Sequence, residues 1–455
     1  MNEIENKLLA ELLGRLERME IKGISIDSRN IKEGELFIAI RGDRFDGHDF
    51  VPDAMKKGAW GALVERSSLE SKYERLGGLK NILPVEDTVC ALQEMSLMHR
   101  KKHPVPVVGI TGSNGKTTTK EMLACILKQK GPVLKNEGNL NNHIGVPLTL
   151  LKFEAQHKAA AVEMGMSAPG EIDVLARLVS PDVGVITNIG PAHLEFLGSM
   201  DMVAAAKAEL LNNLKHEGTA VLNADDPYYD TLKNKFGGRI ISFGIEKKAD
   251  VTATDIGQGK DYTDFTLKAA GSRANVRLQA VGRHNIYNAL AAAAAAFAVG
   301  MTIEAVMCGL DDFVPTAMRS ELKVLNGRTV LADCYNANPG SMKAALETLV
   351  SLKGSKKAVA ALGDMLELGD AGAEAHREIG RMAARLGVDT LITLGPLSQH
   401  IIEGAREAGM ARERLFAAGS HSEAAELLRK HSANGDAVLV KGSRGMKMEK
   451  ILEEF

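Results

Sequence analysis

A chain of 455 residues is too long for one ordinary core, and domains of ~100–200 residues predict about three. Its 45% hydrophobic and 25% charged fractions are those of a soluble globular protein, and a formal charge of −2 gives no basic surface for nucleic acid or an anionic membrane. The four cysteines, Cys90, Cys125, Cys308 and Cys334, have no CxxC spacing, which argues against both a zinc site and a disulfide framework.

The chain opens MNEIENKLLAELLGRLERMEIKG, acidic and helical in pattern, without the basic start and apolar core of an export signal; the expectation is a cytoplasmic protein. Short strands and turns follow up to about residue 100: Gly23–Arg29, Glu35–Ile40 and Gly42–His48. A small α/β module over residues 1–103 fits this alternation. Asp27-Ser28-Arg29 and Asp46-Gly47-His48 are polar clusters at strand ends, where turn chemistry competes with ligand contact. Lys101-Lys102-His103-Pro104-Val105-Pro106 reads as the linker to the next domain.

From 104 to 314 apolar strands alternate with helices, as a doubly wound, mostly parallel sheet requires. Strand candidates are Val107–Ile110, Ala159–Met164, Val183–Thr187, Thr219–Leu222 and Ile240–Phe243. The first runs into Gly112-Ser113-Asn114-Gly115-Lys116-Thr117-Thr118, a glycine-rich turn before a helix. Such a turn aims backbone N–H groups and a helix N-terminus at a phosphate, adds the Lys116 charge, and offers the Thr117 hydroxyl to Mg²⁺. Five residues rather than four separate Gly109 from Gly115, so the run departs from the strict GxxxxGK[ST] pattern.

Ligands of such sheets lie beyond the carboxyl ends of the strands, which singles out Glu163, Asn188 and His193. A carboxylate in a buried strand needs a cation, and Mg²⁺ beside a triphosphate is the natural one; a lone loop histidine is more often structural. Lys207 lies on a helix over Ser199–Leu214 and reads by itself as a surface lysine flanked by small residues. Asn285 and Asn288 share a face at the start of an alanine-rich helix, where they could read a base edge or cap the helix. The apolar run Ile286–Met301 is shorter than the ~20 residues of a membrane span and reads as a buried helix.

Residues 315–455 form a second α/β unit with strands at Thr329–Ala332, Lys357–Leu362, Thr390–Leu394 and Ala437–Val440. Its strand-end turns carry Asp333-Cys334-Tyr335-Asn336-Ala337-Asn338-Pro339, Gly363-Asp364-Met365-Leu366-Glu367-Leu368-Gly369 and Lys441-Gly442-Ser443-Arg444. Lys441 and Arg444 are cations at a strand end, suited to an anionic substrate or simply solvated.

Taken together these runs resemble the Mur ligase family, the ATP-dependent amide-forming enzymes of peptidoglycan precursor synthesis, over nearly the whole chain. The loop Gly109-x-Thr111-Gly112-x-Asn114-Gly115-Lys116-Thr117 resembles that family's own phosphate loop. Glu163, Asn188…His193, Lys207, Gly282-x-His284-Asn285-x-x-Asn288, Arg319 and Lys441-Gly442-Ser443-Arg444 follow in the family's order. Within the family, the Asp333–Pro339 and Gly363–Gly369 turns are similar to the member that adds D-alanyl-D-alanine to UDP-muramoyl tripeptide. The Asp-Asn-Pro-Arg motif of diaminopimelate-adding relatives is absent.

The resemblance implies a three-domain α/β fold: an N-terminal UDP-sugar module, a central ATP-binding sheet and a Rossmann-like C-terminal domain. It implies ATP and Mg²⁺ as cofactors, and the tripeptide and D-Ala-D-Ala as substrates of an acyl-phosphate mechanism. The implied catalytic residues are Lys116, Lys207, His193 and Arg319, with Lys207 carbamylated. Gly112 to Thr118, Asn285, Asn288, Arg319 and Asp333 would bind ATP; Thr117, Glu163 and His193 the metal; Ser28, Arg29, Asp46, Gly47, His48, Asn142 and Asn188 the UDP substrate. A monomer without nucleic-acid or membrane partners is expected. The rivals are a sister ligase adding the third peptide residue, a folylpolyglutamate synthase, and a nucleotide-dependent switch; the last is disfavoured by the lack of an Asn-Lys-x-Asp motif.

Overall fold

In the computed structural model, which describes residues 3–76 and 78–455, the chain builds three sheets in sequence order. The first has four parallel strands, β1 (Gly23–Ser25), β2 (Glu35–Ile38), β3 (Gly61–Glu65) and β4 (Ile82–Val85), in that spatial order. Two of its strands are shorter than the sequence predicts. After Ser25 the Asp27 carboxylate accepts the Arg29 backbone N–H at 2.9 Å and turns the chain. The stretch Gly42–His48 pairs only through an isolated Arg41–Asp46 bridge before a 3₁₀ turn over Gly47–Phe50.

The central sheet has nine strands: β5 (Val107–Thr111), β6 (Val133–Lys135), β7 (Ala159–Glu163), β8 (Val183–Ile186), β9 (Thr219–Asn223), β10 (Arg239–Gly244), β11 (Val251–Gln258), β12 (Thr263–Ala269) and β13 (Ser272–Leu278). Their spatial order is β13-β12-β11-β10-β9-β8-β5-β7-β6. Pairing is parallel from β6 to β11 and antiparallel for β11–β12 and β12–β13. The chain leaves β5 for β6 and β7 on one side and then crosses to β8 on the other. The C-terminal end of β5 is thus the switch point, where adjacent crossovers run to opposite faces and leave a crevice.

The alanine-rich helix Arg283–Ala298 has Ala289 to Ala296 fully buried, and it packs against the helix Lys116–Lys128 and the sheet. Small side chains permit that close approach. Among the described residues no helix is long and apolar enough to cross a membrane.

The third sheet holds β14 (Glu321–Leu325), β15 (Arg328–Asp333), β16 (Ala358–Gly363), β17 (Thr390–Leu394), β18 (Leu415–Ala418) and β19 (Ala437–Lys441), ordered β14-β15-β19-β16-β17-β18. Only β14–β15 is antiparallel. The predicted linker at Lys101–Pro106 is tied down at its first turn. Buried Arg100, last but one in the helix Thr88–Lys101, donates from Nε to Val179 O at 3.0 Å and from Nη1 to His103 O at 2.5 Å. Its guanidinium lies 5.6 Å from the Phe153 ring centre, and His103 stacks on that ring at 5.3 Å.

Candidate active site

Residues from both sides of the switch point meet because the strands are in register: Ile110 pairs with Glu163 on β7, and Thr111 with Ile186 on β8. The phosphate loop between them needs its glycines. Gly112 has φ +147° and a Cβ there would lie 1.9 Å from Thr187 Oγ1; Gly115 has φ +80° and a Cβ would lie 2.1 Å from Asn288 Oδ1. The loop is braced from β8: Asn188 Oδ1 accepts Asn114 N at 2.9 Å, Asn188 Nδ2 donates to Asn114 O at 3.0 Å, and Thr187 Oγ1 donates to the same carbonyl at 2.6 Å. Asn188, expected on the UDP-substrate side, therefore has both amide groups on the loop.

Lys116 begins the helix after the loop and turns its Nζ back to Gly112 O at 2.7 Å and Ser113 O at 3.3 Å. Burial holds its pKa below the usual lysine range; Glu163 opposes that shift and Arg319 adds to it. Thr117 Oγ1 donates to Glu163 Oε2 at 2.7 Å, and Asn141 Nδ2 to Glu163 Oε1 at 2.8 Å. Glu163 is 2% exposed, so the predicted buried carboxylate at the end of its strand is there, hydrogen-bonded at both oxygens.

A cleft of about 860 Å³ opens over this loop, walled on its far side by the C-terminal domain. Ser113 to Thr118, Asn142, Glu163, Asn188, His193, Asn285, Asn288, Arg319 and Asp333 all line it. Arg319 stacks on Tyr335, its guanidinium carbon 3.8 Å from the ring centre. Asp333 receives Ser320 N at 2.9 Å and the buried ammonium of Lys441 at 2.5 Å. Lys441 is thus an ion-pair partner inside the domain, while Arg444 pairs with Glu449 at 2.8 Å. Asn285 donates to Val281 O at 2.8 Å and Asn288 to Asn285 Oδ1 at 3.1 Å, a short chain ending beneath Gly115. Asn142 Oδ1 accepts Gly145 N at 2.8 Å at the head of the helix Gly145–Leu150.

Lys207 is 2% exposed rather than on the surface. Burial, helped by the charge of Lys116, holds its pKa well below the ordinary 10.5. His193 adopts φ +59° and its Nδ1 meets Glu367 Oε2 at 2.7 Å across the two domains.

Ser28, Arg29, Asp46, Gly47 and His48 do not line this cleft. Arg29 forks onto Asp27 in solvent, at 2.9 Å from both Nε and Nη2. His48 is buried, with Nδ1 on Asp46 at 2.6 Å and Nε2 accepting Glu65 N at 2.9 Å; Asp46 also takes Lys72 at 2.7 Å. Sequence reasoning missed Lys120, Asn136, Asn141 and Glu367 as contacts of the predicted residues. The run Asn136-x-x-Asn139-x-Asn141-Asn142 after β6 was legible by the same strand-end logic that found Glu163.

Three family models match in sequence: the Mur ligase family catalytic domain over 20–100, the Mur ligase middle domain over 110–296, and the Mur ligase glutamate ligase domain over 318–444. The UDP-N-acetylmuramoyl-tripeptide–D-alanyl-D-alanine ligase of Bacillus subtilis is 38% identical, covering 96% of this chain and 94% of its own. That of Escherichia coli is 36% identical, covering 99% and 97%. A crystal structure of MurF from Acinetobacter baumannii superposes with a TM-score of 0.86 at 34% identity over 95% of this chain and 93% of that one. Thermotoga maritima MurF in complex with ADP gives 0.84 at 29% over 95% and 96%. With similarity of that depth over nearly its whole length, the chain belongs to the Mur ligase family.

Proposed function

We propose that this protein joins D-alanyl-D-alanine to UDP-N-acetylmuramoyl tripeptide in an ATP-dependent reaction through an acyl phosphate, the last cytoplasmic step of peptidoglycan precursor synthesis. The observation that carries the reading is the near full-length similarity to ligases named for that reaction. The two turns that distinguish this member within its family support it. Both touch the central domain at the cleft, Asn338 through Asn114 and Glu367 through His193.

The tripeptide's terminal carboxylate oxygen attacks the γ-phosphorus in line as the bond to the β,γ-bridging oxygen breaks, and ADP leaves. The dipeptide amine then attacks the acyl carbon. Collapse of the tetrahedral intermediate releases phosphate, and the new amide nitrogen gives up a proton. Lys116, Arg319 and the loop N–H groups from Gly115 to Thr118 hold the transferring phosphoryl group, while the N–H groups of Ser113 and Asn114 are held by Asn188 and shape the loop. Asn285 and Asn288 lie on the adenine side and Asp333 near the ribose.

Among the described residues no three or more His, Cys, Asp or Glu side chains cluster in a way that could hold a metal. Mg²⁺ beside a nucleotide takes one or two protein oxygens and completes its shell with phosphate oxygens and water. Thr117 Oγ1 and Glu163, already in contact at 2.7 Å, would hold the ion, which would supply charge neutralisation at the phosphates. His193, with Nδ1 on Glu367, would offer Nε2 to a second ion. Lys207, a buried amine with a lowered pKa just outside the residues that line the cleft, would react with CO₂ to give a carbamate and a proton, and that carboxylate would serve the second ion.

Ser28, Arg29, Asp46, Gly47 and His48 hold the UDP end, Asn142 lines the cleft towards the reacting carboxylate, and Asn188 serves by bracing the phosphate loop. The domains run 1–103, 104–314 and 315–455, the chain acts as a monomer, and the C-terminal domain closes on the cleft during turnover. The test is phosphate release with Mg²⁺-ATP. Release that needs both UDP-muramoyl tripeptide and D-Ala-D-Ala, with a pentapeptide by mass, supports the reading. Release with the dipeptide precursor and lysine or diaminopimelate makes the protein the third-residue ligase, and hydrolysis without peptide substrate overturns the ligase reading.

A further inference from the structure

Lys120 is a buried lysine to which the mechanism gives no part. It lies one helical turn beyond Lys116 on the same face, and it is 1% exposed. Its Nζ donates to Asn136 O at 2.7 Å, meets Glu121 Oε1 at 3.1 Å, and stands 4.0 Å from Glu163 Oε2. Asn136 in turn grips the main chain of Glu163 on both sides: its Oδ1 accepts Glu163 N at 2.7 Å and its Nδ2 donates to Glu163 O at 3.0 Å. Lys120, Asn136 and Glu163 form one unit, built before any nucleotide enters.

A buried ammonium is not explained by stability, because a well-packed apolar side chain of similar volume serves as well or better in such a place. Its effect is on the carboxylate. A positive charge at this distance inside the protein cancels much of the pull that Glu163 exerts on a second cation.

We propose that Lys120 is a positioning residue that offsets the charge of Glu163, so that the Thr117–Glu163 pair takes a divalent cation only together with nucleotide phosphates. The phosphates supply the negative charge that Lys120 cancels. Metal and nucleotide therefore enter as one unit.

The proposal rests on Thr117 and Glu163 being the metal donors, and the experiment separates the two claims. Mn²⁺ binding to the full-length protein is followed by electron paramagnetic resonance, with and without a non-hydrolysable ATP analogue. The parent is expected to bind Mn²⁺ with the analogue and at least about tenfold more weakly without it. In Lys120→Met the nucleotide-free affinity rises by about tenfold or more, and in Lys120→Arg, which keeps the charge, it does not. Circular dichroism and a melting curve check that each variant is folded. If Lys120→Met does not fold, the parent titration still decides, since tight Mn²⁺ binding without nucleotide overturns the proposal. Equal nucleotide-free affinity in a folded Lys120→Met and the parent also overturns it, and means that Lys120 serves Glu121 alone. If Glu163→Gln retains the ternary Mn²⁺ complex, the donor assignment itself is wrong and the proposal falls with it.

Discussion

Asn338 Nδ2, in the C-terminal domain, donates to Asn114 Oδ1 of the phosphate loop at 2.8 Å. The same side chain caps the helix Pro339–Lys353, its Oδ1 accepting Ser341 N at 2.9 Å. One residue thus starts a helix and touches the loop of another domain, and the two roles separate by substitution. Asn338→Ser keeps a good N-cap and loses the reach to Asn114, so melting temperature holds while kcat falls by on the order of tenfold. Asn338→Ala loses the cap as well, at about 1 kcal/mol of stability. Paired melting curves and steady-state kinetics check this, and a Ser variant with unchanged kcat refutes the loop role.

Gly115→Ala is expected to abolish measurable nucleotide binding and to cost about 2 kcal/mol or more. The left-handed φ strains any side chain there, and the new methyl would run into Asn288 Oδ1 at 2.1 Å. Calorimetric titration with ADP reads the first effect and urea unfolding the second. Adding Asn288→Ala relieves the clash but not the backbone strain, so stability recovers only in part, and nucleotide binding, which also needs Asn288, does not recover.

Lys207 carries a stability signature of its own. Its folded-state pKa lies well below 10.5 because it is buried, with Lys116 adding repulsion. Between the folded and unfolded values the unfolded chain binds the extra proton, so stability rises with pH in that window. In CO₂-free buffer Lys207→Met is expected to be more stable than the parent at neutral pH, with the gap closing as pH climbs towards 10.5. Activity moves the other way: it is lost in the variant, and in the parent it falls on CO₂ removal and returns with bicarbonate. A parent indifferent to bicarbonate would count against the carbamate.

Arg100→Ala removes a buried guanidinium that hydrogen-bonds main-chain carbonyls around the first domain junction. About 3 kcal/mol of stability should go with it, since Val179 O and His103 O lose their donor and the contact with Phe153 is emptied. Differential scanning calorimetry distinguishes a lowered single transition from a split one, the latter meaning that the two domains have come apart.

The central fold was legible because a glycine-rich turn between an apolar strand and a helix has few other uses, and because strand order fixes where neighbouring carboxyl ends point. Strand order predicts Glu163 and Asn188 beside that turn, and both contact it. The hairpins from β11 to β13 are absent from the sequence-based expectation, although Thr263–Ala269 alternates buried and more exposed residues; a period of two over so short a run carries little weight beside the long parallel run before it. In the N-terminal clusters the partners were not legible: His48 ties Asp46 to the backbone N–H of Glu65, seventeen residues on, a contact that the turn residues alone do not announce. The partners that orient the site, Asn338 and Glu367, lie more than 150 residues from what they touch, and nothing local in the sequence pairs them.

The anchoring of Arg100 has a consequence for substrate choice. With the first junction pinned by hydrogen bonds to both flanking segments, the span from the first domain to the phosphate loop is set by the protein and not by the ligand. A substrate gripped at its nucleotide end would be measured against that span as against a ruler, and a peptide one residue short would leave its carboxylate out of reach of the phosphorus.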